Sequence, residues 1–201
     1  MWVIGLTGGI ASGKSSVLGW LRGQGCPTQD ADLLAREVVA PGEEALLQIK
    51  ATFGAEYLLP DGALNRPLMG QLIFGDAAAR QQLNAIIHPA VVQRLQQKIA
   101  EYRQESLQQL PLVLDIPLLF EAELEYLVDS IWCVWLPREV QLRRLQERDR
   151  LSPEEARQRL EAQMSLDEKR KKAHVVIDNS ASWEETEEQL RKIFVAKLWR
   201  C

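Results

Sequence analysis

No stretch of this chain approaches the ~20 consecutive apolar residues that a membrane-spanning helix requires, so no membrane association is expected. The first residues, MWVIGLTGG, carry neither the basic start nor the cleavage site of a secretory signal, and their apolar run is short. Cysteine is scarce: Cys26, Cys133 and Cys201 are far apart, odd in number and without a CxxC pair. That spacing argues against structural zinc and against a disulfide framework, and it fits a reducing cytoplasm. Excess positive charge is lacking too, with 24 Lys and Arg against 28 Asp and Glu, a net charge of −4. A generally basic nucleic-acid binder is thereby disfavoured, although a locally basic pocket is not. Internal repeats and low-complexity segments are also missing.

The 201 residues that remain are 46% hydrophobic and 26% charged, ordinary for a globular chain long enough for one domain with insertions. Five short segments read as strands: Trp2–Leu6, Cys26–Gln29, Leu112–Ile116, Ile131–Leu136 and Val175–Ile177. LVLDI and IWCVWL are nearly continuous apolar runs, the pattern of strands buried on both faces. Helical periodicity between them predicts an α/β fold with parallel strands and crossover helices. The strand-free stretch 31–106 reads as helical, with a turn at PDG (60–62) and a last helix opening at Pro89 with Val91, Leu95, Ile99 and Tyr102 on one face. Residues 137–172 form a second, charged helical insert, in which SPEE (152–155) is a capping box. A second box, SWEE (182–185), opens the C-terminal helix, whose inner face carries Thr186, Leu190, Ile193 and the stem of Lys197.

GGIASGKSS (8–16) matches Gly-x-x-x-x-Gly-Lys-Ser, with Gly8, Gly13, Lys14 and Ser15 at the fixed positions. It follows a strand and precedes a helical pattern (Val17, Leu18, Leu21). A loop that cradles phosphate needs small residues so that backbone N–H groups can face inward, a lysine for the β/γ-phosphates and a hydroxyl for Mg²⁺. The alternative, a glycine-rich turn with an incidental lysine, does not account for that context, and the motif is expected to bind a nucleoside triphosphate.

LVLDIP ends a strand in Asp115, as a magnesium-holding carboxylate would, although strands also end in Asp for turn chemistry. In QDADLL, Asp30 and Asp32 follow the second strand, where parallel sheets place their ligand crevice. Asp30 suits a helix cap or support for Mg²⁺, and Asp32 suits the carboxylate that orients an acceptor hydroxyl and takes its proton. Arg144 and Arg148 stand four apart and share a helix face. Arginines there can spread over a transferring phosphoryl group, or simply form a solvated face. His88 precedes Pro89 and suits either a helix cap or an anionic substrate at that helix N-terminus. The six tryptophans (Trp2, Trp20, Trp132, Trp135, Trp183, Trp199) read as packing residues rather than base-stacking platforms.

Together these pieces resemble the dephospho-coenzyme A kinase family. The matching stretches are GLTGGIASGKSS, DADLLAREVV, DGALNRPLMGQLIFGD with LNAIIHP, LVLDIPLLFE, QLRRLQERD and RLEAQMSLDEKRKKAHVVIDNS, in the family's order and over nearly the whole chain. The resemblance implies one P-loop kinase domain over 1–201, with a five-stranded parallel sheet. Its nucleotide core would span about 1–30, 107–136 and 173–201, its helical substrate region about 31–106 and its lid about 137–172. It implies ATP as phosphoryl donor, Mg²⁺, and transfer to the ribose 3′-hydroxyl of dephospho-CoA in the last step of coenzyme A synthesis. By position, Gly8, Ala11, Ser12, Gly13, Lys14, Ser15 and Ser16 would bind the ATP phosphates, with Arg159 and Asn179 near the nucleotide. Ser15 and Asp115 would hold the metal. Asp32 matches the base, Arg144 or Arg148 the lid arginine, and Arg66, His88, Asp32 and Asp115 lie towards the substrate. Ala11 stands where the family commonly has glycine, which matters if that position takes a positive φ. The nearest rival is another small-molecule or nucleoside-monophosphate kinase on the same fold. A nucleotide-switched regulatory protein is the rival from a different class, and it would have no need of Asp32.

Overall fold

Strand β1 (Val3–Gly8) is buried along its whole length because it lies at the centre of the sheet and is covered on both faces. The computed structural model describes residues 2–105 and 110–198; the side chain of Lys197, and Trp199 and Cys201 altogether, lie outside the described residues. With β2 (Thr28–Asp30), β3 (Leu112–Asp115), β4 (Ser130–Trp135) and β5 (Val175–Asp178) it forms a parallel sheet in the order β2-β3-β1-β4-β5. All five expected strands are present, displaced by no more than two residues at either end.

The register pairs Leu6 with Asp115 and Gly8 with Val134. The loop after β1 and the carboxylate that ends β3 therefore emerge side by side. From β1 the chain crosses to β2 at one edge, returns to β3, and then passes to β4 on the other side of β1. That reversal makes the carboxyl end of β1 a topological switch point, where open parallel sheets bind ligands. Helix α1 (Lys14–Gly23) turns Val17, Leu18 and Leu21 onto the sheet, and they join Ile4, Leu6, Val113, Trp132, Val134, Ile177 and Leu190 in the main core. Trp2, Trp20 and Trp183 pack against this core and Trp135 against a neighbouring cluster, so the five described tryptophans are packing residues, as expected. Cys26 and Cys133 are buried, and burial pushes their thiols up to about 11 and about 12, which leaves them inert as nucleophiles.

Residues Asp30–Glu101 pack as one unit, and the described residues before and after them as another. In the Asp30–Glu101 unit, α2 (Ala31–Glu37), α3 (Glu44–Phe53) and α4 (Arg66–Gly75) surround a core that includes Leu34, Leu46, Ile49 and Met69. The PDG turn is present, with Gly62 at φ 82 and a bridge between Leu58 and Leu64. α5 (Ala77–Gln104) continues past the end of the unit.

One expectation is overturned here. No helix opens at Pro89; it lies inside α5, and His88, exposed, is at no helix N-terminus. The start is set by Asp76, whose Oδ1 accepts from the N–H groups of Ala78 (2.8 Å) and Ala79 (3.0 Å). The buried stripe Leu83, Val91, Leu95, Ile99 runs on both sides of Pro89, and its packing holds the helix together against the missing hydrogen bond. The Val91–Tyr102 face itself is buried as read from the sequence.

The insert comprises α6 (Arg138–Asp149), α7 (Pro153–Glu161) and α8 (Leu166–Lys172). The Ser152–Glu155 capping box is present, and a further one joins Ser165 to Glu168. At the start of α9 (Trp183–Leu198), Ser182 Oγ accepts from the Glu185 N–H at 3.3 Å.

Because Pro89 removes a hydrogen bond from the interior of α5, Pro89→Ala should stabilise the protein by roughly 1–3 kcal/mol, less whatever the proline saves by restricting the unfolded chain. The measurement is the urea midpoint, which should rise with an unchanged m-value. A lower midpoint would show that the helix is built around the proline.

Candidate active site

At the carboxyl end of β1 the chain turns through residues 9–13 and enters α1 at Lys14, wrapping one wall of a cavity of about 680 Å³. The turn needs two left-handed residues, Ala11 at φ 58 and Gly13 at φ 87. Ser12 N–H bonds to the Gly9 carbonyl (3.1 Å) and Ser16 N–H to the Gly13 carbonyl (3.0 Å), closing successive tight turns. Such alternation of hand turns consecutive N–H groups towards one point, the geometry that receives an anion. Gly13 is required twice over, by its φ and by space. A Cβ there would lie 2.0 Å from Nδ2 of Asn179.

Asn179, just beyond β5, is buried and fully engaged. Its Nδ2 donates to the Ser12 carbonyl (2.8 Å), and its Oδ1 accepts from Thr186 Oγ1 (3.0 Å). Ser12 Oγ is buried in the same wall with no partner among the described residues. An unsatisfied buried hydroxyl is costly unless a ligand completes it, and a phosphate oxygen is a fitting acceptor.

Lys14 reaches across to Asp115 in an ion pair, with both side chains largely buried. The segment after Asp115 is itself held. The Pro117 carbonyl accepts from Thr7 Oγ1 (3.1 Å) and from Lys169 Nζ (2.8 Å). Lys169, fully buried on α8, also pairs with Glu121 at 2.9 Å, whose carboxylate accepts the Met164 N–H. A buried ammonium is tolerated only with such partners, so removing Glu121 would leave the buried Lys169 charge uncompensated.

The cavity is lined by residues 8–16 with Pro117, Arg144, Arg148, Gln163, Asn179, Ala181 and Trp183. Its charged lining residues are Lys14, Arg144 and Arg148, with no carboxylate among them. In a chain of net charge −4 this is the locally basic pocket that composition left open. Arg148 is already engaged with Asp149 through Nε (2.7 Å) and Nη2 (3.1 Å), which raises the arginine pKa and lowers that of the aspartate. Arg144 is half-buried in the wall, and among the described residues nothing pairs with its guanidinium.

The structure thus brings together Gly8, Ala11, Ser12, Gly13, Lys14, Ser15, Ser16, Arg144, Arg148 and Asn179, with Asp115 paired to Lys14. Arg159 is not part of the lining; it is exposed on α7 and bonds to Asp149 at 3.0 Å. The remaining candidates belong to the Asp30–Glu101 unit. There Asp30 Oδ1 caps α2 by accepting from the N–H groups of Asp32 (2.8 Å) and Leu33 (3.0 Å). Asp32 is exposed in the first turn, and Arg66 Nη2 donates to the Arg36 carbonyl (3.2 Å). Pro117, Gln163, Ala181 and Trp183 line the cavity without having been foreseen. Asn-Ser-Ala immediately after a strand was the available signal for the Ala181–Trp183 corner.

A parallel sheet with this loop at its switch point defines a P-loop nucleotide-binding fold. A shikimate kinase from Acinetobacter baumannii shares the fold alone, at a TM-score of 0.51 and 19% identity. The dephospho-CoA kinase family model matches residues 2–185. A dephospho-CoA kinase of Shouchella clausii is 51% identical over 93% of this chain and 94% of its own, and one from Carboxydothermus hydrogenoformans is 46% identical over 98% and 95%. Among solved structures, a dephospho-CoA kinase from Campylobacter jejuni matches with a TM-score of 0.74 and 26% identity, covering 97% of this chain and 98% of its own. The chain belongs to the dephospho-CoA kinase family.

Two glycine substitutions test the loop geometry. Gly13→Ala meets both the left-handed φ and the Asn179 contact, and should destabilise by about 1–3 kcal/mol or more while abolishing nucleotide binding. Gly19→Ala, in the same α1 with nothing within 4 Å of its Cβ, should stabilise by about 0.5–1 kcal/mol. Chemical denaturation reads both, and equal effects would contradict the geometry.

Proposed function

We propose that this chain transfers the γ-phosphoryl group of ATP to the ribose 3′-hydroxyl of dephospho-CoA, giving coenzyme A and ADP in the last step of coenzyme A synthesis. The observation that carries it is the cavity lined by the phosphate loop and three cations, in a chain of the dephospho-CoA kinase family.

Residues 8–16 hold the triphosphate through inward N–H groups, with Lys14 on the β/γ-phosphates. The oxygen set of Ser15 and Asp115 fits Mg²⁺, which keeps most of its shell as water and phosphate. Bound there, the ion would neutralise the charge shared by the β- and γ-phosphates. Lys14 and Asp115 are already paired, so each holds the other in place for this work. Of the two insert arginines, Arg144 is the one whose guanidinium has no partner among the described residues, and it serves the γ-phosphoryl oxygens as charge shifts. Arg148 is fixed to Asp149 and lines the pocket beside it.

Asp32 orients the acceptor hydroxyl and takes its proton. Support comes from the division of labour in QDADLL, where Asp30 is committed to capping α2 and Asp32 leaves its carboxylate exposed. Arg66 and His88 serve the substrate side of the same unit.

Asp32→Asn keeps size and one oxygen but removes the proton acceptor. It should lower kcat by ~100-fold or more with little change in ATP affinity. Wild type should release ADP quickly with dephospho-CoA and slowly with AMP, CMP, shikimate or pantothenate, and phosphorus NMR should place the new phosphate on the 3′-oxygen. Fast turnover of AMP with none of dephospho-CoA would contradict the substrate, and a fully active Asp32→Asn would remove the base.

A further inference from the structure

Ile10, at the tip of the phosphate loop, has both of its backbone polar groups taken by side chains of the insert. Its N–H donates to Gln163 Oε1 at 3.0 Å, and its carbonyl accepts from Gln141 Nε2 at 2.8 Å. Gln141 is 6% exposed and lies outside the cavity lining. Room for it exists only because position 9 is glycine: a Cβ there would lie 2.5 Å from Gln141 Nε2. The Ile10 and Ala11 side chains pack against the Leu145–Ala156–Leu160 cluster that joins α6 to α7.

The residue after this clamp is the strained one. Ala11 sits at φ 58, a hand that alanine disfavours and glycine accepts. Rotating the Ile10–Ala11 peptide by half a turn would carry Ala11 to a negative φ and relieve the strain. Because the carbonyl of one residue and the N–H of the next point in opposite directions across a planar trans peptide, that rotation would also turn the Ala11 N–H away from the cavity. The Gln141 bond draws the Ile10 carbonyl outwards and opposes the flip. We infer that Gln141, seconded by Gln163, is a positioning residue for nucleotide binding, holding the Ile10–Ala11 peptide against the strain at Ala11 so that the Ala11 N–H faces the triphosphate. The inference rests on the proposed ATP site and adds to it a role for the insert as the support of the phosphate loop.

The test is a double-mutant cycle of Gln141→Met and Ala11→Gly, reading Mg-ATP affinity by calorimetry beside a thermal melt of each protein. Methionine keeps the shape and removes the donor. With alanine kept at position 11, it should weaken Mg-ATP by roughly 5- to 10-fold, the scale of one hydrogen bond. In the Ala11→Gly background, where neither hand is disfavoured, the loss should shrink to about twofold. Equal losses in both backgrounds, or a lowered melting temperature with unchanged affinity, would overturn the inference. Should Gln141→Met not fold, Gln141→Leu removes the same donor without adding charge and carries the same expectation. Failure of the wild type to bind Mg-ATP is a separate outcome, which would sink the ATP site itself and leave Gln141 with nothing to position.

Discussion

A loop that receives phosphate must keep its carbonyls turned out and its N–H groups turned in, and everything around residues 8–16 serves that constraint. The backbone cannot meet it alone, because two of the residues concerned take the left-handed conformation and one of them is alanine. Side-chain amides supply the difference from two directions. Gln141 holds the carbonyl before Ala11, and Asn179 holds the carbonyl before Gly13. Each is admitted by a glycine whose Cβ would collide with it, Gly9 for one and Gly13 for the other. The glycines thus have two roles, allowing the turn and making space for what fixes it.

The same logic extends to the far wall. Asp115 ends β3 opposite Leu6 of β1, and its pairing with Lys14 ties the sheet register to the position of the lysine. The Pro117 carbonyl just beyond is gripped by Thr7 from β1 and by the buried Lys169 from α8. The insert therefore contributes more than arginines. Through Gln141, Gln163 and Lys169 it touches both the phosphate loop and the segment after Asp115, so a movement of α6 to α8 would be felt at both.

Much of this was legible in the sequence, and the failures have physical causes. The inner strands β3 and β4 were readable because burial on both faces leaves almost no polar residues in LVLDI or IWCVWL. The phosphate loop was readable because its glycine, lysine and serine spacing answers a chemical need. Pro89 suits a helix start by its own chemistry, but the buried stripe that continues on both sides of it and the Asp76 cap upstream decide where the helix begins. Gln141 and Gln163 carried no sequence signal at all. Their partner is 131 and 153 residues away, and an uncharged side chain on a charge-rich helix (Gln141) or in the turn after one (Gln163) looks like surface. In sequence Ala11 is only a departure from the family's glycine, and its φ of 58 shows why that position matters. Trp183 packs against the core as expected, yet the same residue lines the cavity, and periodicity alone cannot report both contacts.

The central claim is that backbone N–H groups of residues 11–16 receive the phosphates of the nucleotide. Backbone amide resonances, followed by NMR as Mg-ADP is titrated into the full chain, test it most directly. The largest shifts should fall on Ala11 and on Gly13 to Ser16, with Asn179 side-chain amide signals moving alongside them because that amide is bonded to the loop. Saturable binding that leaves these amides unmoved while others shift would place the nucleotide elsewhere and contradict the account.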